Sequence, residues 1–178
     1  MRAPSSPPPP PTPFRIVFVC SGNICRSPMA EVIARAMLAD AGLAGEVTVD
    51  SAGTGDWHEG QGADRRTVQA LADHGYDGSH HRAREFDRSW FAERDLVLVA
   101  DRGHERELRS WATSDGARGR IQLLRSYDEQ AVVAGTLEVD DPWYGGAADF
   151  ERCLVEVEQA CAGLVRWLRQ SRSNGSSG

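Results

Sequence analysis

Residues 17–37 read VFVCSGNICRSPMAEVIARAM. An apolar run ends on Cys20, a short loop follows, and an amphipathic pattern opens behind Arg26, Ser27 and Pro28. This punctuation constrains the fold more tightly than any other part of the chain. Residues 14–19 are apolar but for Arg15, the pattern of a strand buried on both faces in a parallel sheet. Met29, Val32, Ile33, Ala36 and Met37 recur at the spacing of one helix face, which predicts a helix over residues 28–41. Proline suits a first helical turn because its missing N–H would have no partner there. Ser27 is placed to be the N-cap. A helix that starts where a strand has just ended aims its free N–H groups and positive dipole end at the loop between them.

The alternation continues down the chain. A short edge strand is predicted at 47–49, a helix at 64–74 closed by Gly75, and a second buried strand, LVLVA, at 96–100. A weaker helix at 101–111 and a short last strand at 121–124 follow. Phe150, Leu154, Val157, Cys161, Leu164 and Leu168 form one stripe of a long helix at 147–168. The expected fold class is α/β: a single domain with a four-stranded parallel sheet, order 2-1-3-4, and helices on both faces. Ligands of such sheets sit beyond the carboxyl ends of the strands, where the loop after Cys20 falls.

Composition sets the limits. Residues 1–13 are nearly all proline, serine and small side chains and are read as a disordered arm, either an extended docking segment or a translated leader. Residues 171–178, rich in serine and glycine, are read as a disordered tail, leaving 14–170 as the domain. No apolar run approaches the roughly 20 residues of a membrane span. The net charge of −6 argues against nucleic acid as a partner. Cys20, Cys25, Cys153 and Cys161 are too few for a secreted disulfide framework. A monomer in the cytoplasm is expected, with export by a route lacking a signal peptide left open.

The loop's residues point to one chemistry. Gly22 takes a positive φ without strain and Asn23 tolerates it, so the loop, residues 21–25, can curl its amides inward as an anion nest. Ser21, Gly22, Asn23, Ile24, Cys25, Arg26 and Ser27 are the expected phosphate-binding set. Arg26 adds a planar fork matched to two oxygens of a tetrahedral anion. A thiol at a helix N-terminus beside a cation ionises more readily than a free one, and Ser27 can donate a hydrogen bond to the Cys20 sulfur. A thiolate aimed into a phosphate cradle suggests attack on phosphorus and a phosphocysteine intermediate. A carboxylic acid must then protonate the leaving oxygen. The stretch EVDDPWYGG offers Glu138, Asp140 and Asp141; Pro142 holds Asp141 extended, which favours it. Cys153 and Cys161 look structural. No cysteine and histidine spacing suits a metal, and the chemistry requires neither metal nor cofactor.

CSGNICRSP resembles the signature loop of the low-molecular-weight protein tyrosine phosphatase family. SAGTGDW at 51–57 and DPWYGG at 141–146 are similar to two further family segments in the same order. The resemblance implies a protein tyrosine phosphatase acting on phosphotyrosine-containing proteins, with Cys20 as nucleophile, Arg26 as phosphate clamp and Asp141 as general acid. It implies Trp57, Trp143 and Tyr144 as walls of the substrate pocket; ordinary core packing is the alternative for each. It also implies a bracing network of Asn23, Ser27, Ser51 and a histidine, His81 by count from Ala83, with His80 beside it. Cys25 is implied as a redox partner of Cys20, against a plain packing role under the loop. The chain departs from the family at Trp143, where tyrosine is usual, and at Ser21, where larger residues are common. Rival readings are a protein-arginine phosphatase of the same fold, a thiol-dependent arsenate reductase and a phosphopeptide-binding module without turnover. The arsenate reductase reading lacks relay cysteines outside the last helix, and the binding module would have no need of both Cys20 and Asp141.

Overall fold

A computed structural model describes residues 11–175; residues 1–10, which include most of the proline-rich arm, and 176–178 lie outside them. Strands β1 (Phe14–Cys20), β2 (Val47–Gly53), β3 (Leu96–Val99) and β4 (Ile121–Leu123) form one parallel sheet in the order β2-β1-β3-β4. β1 is central, pairing Phe14 to Cys20 with Val47 to Gly53 on one side and Ile16 to Val19 with Leu96 to Val99 on the other. Helices α1 (Arg26–Asp40), α2 (Arg65–Asp73) and α7 (Ala147–Gly175) cover one face. The short α3 (Trp90–Glu93), α4 (Arg102–Trp111) and α5 (Asp115–Gly119) cover the other, and α6 (Glu129–Ala134) follows a 3-10 turn at Leu124–Tyr127.

Two covered faces explain the unbroken apolar run. Ile16, Phe18 and Cys20 point into the core under α1 and α7, while Val17 and Val19 point into the core under α4. Cys20 is therefore set by strand alternation on the side where α1 begins.

The ends of several elements differ from the sequence expectation. β2 runs to Gly53, past the expected 47–49, because Asp50 to Gly53 continue the register with Val17 to Cys20. α1 starts two residues before Pro28, and its N-cap is Cys25, with no side-chain cap. Ser27 is not the N-cap: it lies inside the first turn, where its hydroxyl is engaged elsewhere. α7 continues to Gly175, through residues 171–175 that read as tail. Arg172 holds that extension by donating from Nη1 to Glu46 Oε2 at 2.9 Å and from Nη2 to the Glu46 carbonyl at 3.0 Å. No helix among the described residues is long and apolar enough to cross a membrane.

Gly163 shows how closely α7 packs. A Cβ there would fall 1.8 Å from the carbonyl oxygen of Tyr127 in the 3-10 turn. In an exposed helix, Gly→Ala would stabilise by up to about 1 kcal/mol. Here Gly163→Ala is expected to cost about 2 kcal/mol through overpacking and to lower Tm by roughly 4–8 °C. Thermal unfolding of the variant checks this; a raised Tm would contradict the close approach.

Candidate active site

The loop between β1 and α1 closes on itself through Asn23. Among the described residues, Asn23 is the one non-glycine residue with positive φ, +57°, whereas Gly22 does not take a positive φ. A Cβ at Gly22 would instead lie 2.8 Å from the His58 ring, so a side chain there would displace that half-buried imidazole. With its backbone left-handed, the fully buried Asn23 side chain donates from Nδ2 to Ser27 Oγ at 2.8 Å and to Ser51 Oγ at 2.9 Å. Its Oδ1 accepts the Arg84 N–H at 3.0 Å, and its carbonyl lies 2.6 Å from His81 Nε2. Ser51 in turn donates to Glu31. His81, not His80, reaches the loop; His80 is exposed beside Asp77.

Ser27 Oγ accepts from Asn23, so its own proton is free to be donated. The Cys20 sulfur is 2.9 Å away and the Ala52 carbonyl 3.3 Å. Behind the loop, Gly53 matters for its missing side chain: a Cβ would lie 2.5 Å from the Ser21 carbonyl oxygen. The uncapped α1 N-terminus leaves first-turn N–H groups without a side-chain partner.

In front of this network lies a cleft of about 260 Å³. Cys20, Ser21, Gly22, Ile24, Cys25 and Arg26 form its floor. Trp57, His58, Asp141, Trp143 and Tyr144 complete the lining, with the His58 and Trp143 ring centroids 5.8 Å apart. Asn23 and Ser27, expected in the phosphate-binding set, do not line it; both side chains work from behind. Trp57 does not join the core. It is 67% exposed and its ring lies over Gly55, where a Cβ would approach to 2.2 Å. Tyr144 is 94% exposed at the rim.

Arg26 is 5% exposed and held on three sides. Nη1 donates to Asp101 Oδ2 at 2.8 Å and to the Val139 carbonyl at 3.0 Å, and Nη2 is 3.5 Å from Asp141 Oδ2. Burial alone would discourage its charge, but Cys20, Asp141 and Asp101 more than restore it, so it stays cationic. Cys25 behaves oppositely: burial pushes its thiol up to about 12, so it is protonated at neutral pH. Cys20, Cys25, Cys153 and Cys161 are all free thiols. Asp141 Oδ1 accepts the Trp143 N–H at 3.1 Å, which shapes the turn carrying the carboxyl. Asp140 and Glu138 do not line the cleft; Glu138 caps the Arg102 N–H at 2.8 Å instead.

Several residues around the cleft went unmarked in the sequence reading: Glu31, His58, Arg66, Asp101 and His104. Asp101 precedes α4 and caps it by accepting the His104 N–H at 3.0 Å, a signal legible as an N-cap but not as a partner for Arg26. His104 is buried, with Nε2 2.8 Å from Ser21 Oγ. Its Nδ1 is 3.1 Å from Asp101 Oδ1 but too poorly aligned for a good hydrogen bond.

Burial, opposed by Asp101, pushes the His104 imidazole from 6.5 down to about 4. The unfolded chain protonates it below pH 6.5 and the folded chain only near pH 4. The site's contribution is therefore complete above pH 6.5 and is lost as pH falls toward 4, by about 3 kcal/mol. His104→Gln removes that titration, and its stability should fall less steeply than the wild type's between pH 6.5 and 4 in urea titrations. Parallel pH dependences would contradict a neutral buried histidine.

A family model described as low molecular weight phosphotyrosine protein phosphatase matches residues 15–174. The chain is similar to the low molecular weight protein-tyrosine-phosphatase of Streptomyces coelicolor, 55% identical over 157 residues, 88% of this chain and 94% of that one. It is 42% identical over 166 residues to the low molecular weight protein-tyrosine phosphatase A of Mycobacterium tuberculosis, covering 93% and 98% of the two. A crystal structure of a protein tyrosine phosphatase from Entamoeba histolytica matches with a TM-score of 0.83 at 31% identity, covering 89% of this chain and 99% of that one.

Proposed function

We propose that this chain, which belongs to the low molecular weight phosphotyrosine protein phosphatase family, hydrolyses phosphotyrosine monoesters of proteins through a phosphocysteine intermediate. The observation that carries the reading is the Cys20 sulfur at the floor of the cleft, hydrogen-bonded to Ser27, with the Arg26 guanidinium and the Asp141 carboxyl on the same cleft.

In this reading the substrate phosphoryl group sits against the loop amides and the outward edge of Arg26. Nη1 is already committed to Asp101 and Val139, which fixes the guanidinium plane before substrate arrives. Cys20 attacks phosphorus as the thiolate, and the Ser27 hydroxyl turns its proton to the sulfur. The P–O bond to the phenol breaks as Asp141 delivers a proton to the leaving oxygen. A phenol of pKa near 10 departs slowly without that proton. The Asp141 carboxylate then takes a proton from the water that attacks the phosphocysteine, which returns the thiolate and releases phosphate. Trp57, Trp143 and Tyr144 give the tyrosyl ring flat apolar walls. The bracing network of Asn23, Ser51 and His81 orients the loop and moves no proton.

Cys25, a protonated thiol on the same loop, is the proposed resolving partner for an oxidised Cys20. Cys153 and Cys161 are buried within α7, burial raising both thiols, and neither is open to a relay of the arsenate reductase kind. The cytoplasm is the proposed location.

Turnover tests the assignment. Cys20→Ser should have no measurable activity toward p-nitrophenyl phosphate. Asp141→Asn should lose roughly 10²–10⁴-fold in kcat/KM on phosphotyrosine peptides. Equal turnover in all three proteins would contradict the roles of Cys20 and Asp141, and absence of turnover in the wild type would leave a phosphopeptide-binding role. Faster release from phosphoarginine than from phosphotyrosine peptides would favour the arginine phosphatase.

A further inference from the structure

Arg66 lies on α2, outside the cleft floor, yet it joins the two loops on which the chemistry depends. Its guanidinium is gripped by Asp64, accepting from Nε at 3.0 Å and from Nη2 at 2.9 Å. Asp64 is itself fixed in two ways. It caps α2 by accepting the Arg66 N–H at 2.8 Å, and its own N–H donates to the Ile24 carbonyl of the cleft floor at 2.8 Å. The remaining edge of the guanidinium turns to the loop of Asp141. Nη1 donates to the Trp143 carbonyl and to the Gly145 carbonyl, each at 3.1 Å. The plane of the group is covered on its apolar sides: Cζ lies 5.6 Å from the Trp143 ring centroid and 4.5 Å from that of Phe150.

The chain of contacts runs from Ile24 through Asp64 and Arg66 to residues 143 and 145. Asp141 is two residues from the first of these carbonyls, and its Oδ1 accepts the Trp143 N–H. The distance between the Asp141 carboxyl and the Cys20 floor is thus set on this side through Arg66, as it is on the other through the contacts of Arg26 with Val139 and Asp141. Lysine could not reproduce this. Its ammonium has three donors but no fork to hold a carboxylate on one edge and two carbonyls on another.

We infer that Arg66 is a positioning residue for acid catalysis: it ties the Asp141 loop to the nucleophile loop, so that the proton arrives at the leaving oxygen in register with attack by Cys20. This rests on the reading of Asp141 as the general acid. Arg66 touches neither the phosphoryl group nor the leaving group. Its loss should impair protonation of the leaving group and spare phosphate binding.

A leaving-group series separates this from a merely structural role. Aryl phosphates spanning acidic nitrophenols to unsubstituted phenol are compared by kcat/KM, which reports the steps up to phenol departure. In the wild type the rate should depend weakly on phenol pKa, and in Asp141→Asn steeply. Arg66→Ala should resemble Asp141→Asn in kind. Losses of about 10–100-fold are expected on phenyl phosphate, against no more than about threefold on the most acidic phenols, with the inhibition constant of inorganic phosphate unchanged. Arg66→Lys, which guards against a variant that fails to fold, should fall between. The double variant Arg66→Ala with Asp141→Asn should be no slower on phenyl phosphate than Asp141→Asn alone. An equal loss across the series, or multiplying losses in the double variant, overturns the role of Arg66 while Asp141 stands. A shallow slope in Asp141→Asn overturns the acid assignment and the inference with it.

Discussion

Ser27 Oγ sits at the point where the backbone of the loop and the chemistry of the sulfur meet. It accepts from Asn23, which leaves its own proton for Cys20 or the Ala52 carbonyl. Asn23 can donate there only because its backbone is left-handed, a conformation asparagine tolerates better than most residues. Every polar atom of its side chain is used: two donations to Ser27 and Ser51 and one acceptance from Arg84. A buried network this complete is rigid, because any slip leaves a buried polar group unpaired. The curvature of the loop, and the place of the sulfur within it, follow from that network.

Charge is then arranged around the fixed loop. Arg26 is surrounded by Asp101, Asp141 and the Val139 carbonyl and stays cationic despite burial. Asp101, pulled the opposite way by its own burial, is held below the ordinary carboxylate value by the His104 N–H and by Arg26. Each group comes from a different connection at the carboxyl end of the sheet: the β1–α1 loop, the start of α4 after β3, and the loop before α7. The parallel topology brings together residues 75 and 113 positions distant from Arg26 because all these connections open on one edge.

The frame of this arrangement was readable because it is written locally. The apolar run into Cys20, the spacing of Met29 and Ile33, and the stripe on α7 fixed the elements, and the all-apolar strands fixed a sheet covered on both sides. Details failed where a residue had a second use. Ser27 fits an N-cap by type, but its hydroxyl is taken by the sulfur network. Gly22 fits a positive φ by type but does not take one, and His58 packs close over it instead. Arg66 and His104 carried no local signal: each looks like a polar helix residue until distant partners at 143, 145 and 21 are known. The end of α7 was missed for the same reason, since Arg172 is held by Glu46 across the fold.

Chemical trapping addresses the central claim, that the Cys20 sulfur takes the phosphoryl group. The wild type is mixed with a fast aryl phosphate, denatured within the first turnover and digested, and the peptides are mapped by mass spectrometry. One phosphoryl group is expected, on the peptide containing Cys20 and localised to its sulfur, and none in Cys20→Ser. Phenol release without a phosphorylated peptide, or a phosphoryl group on any other side chain, would contradict it.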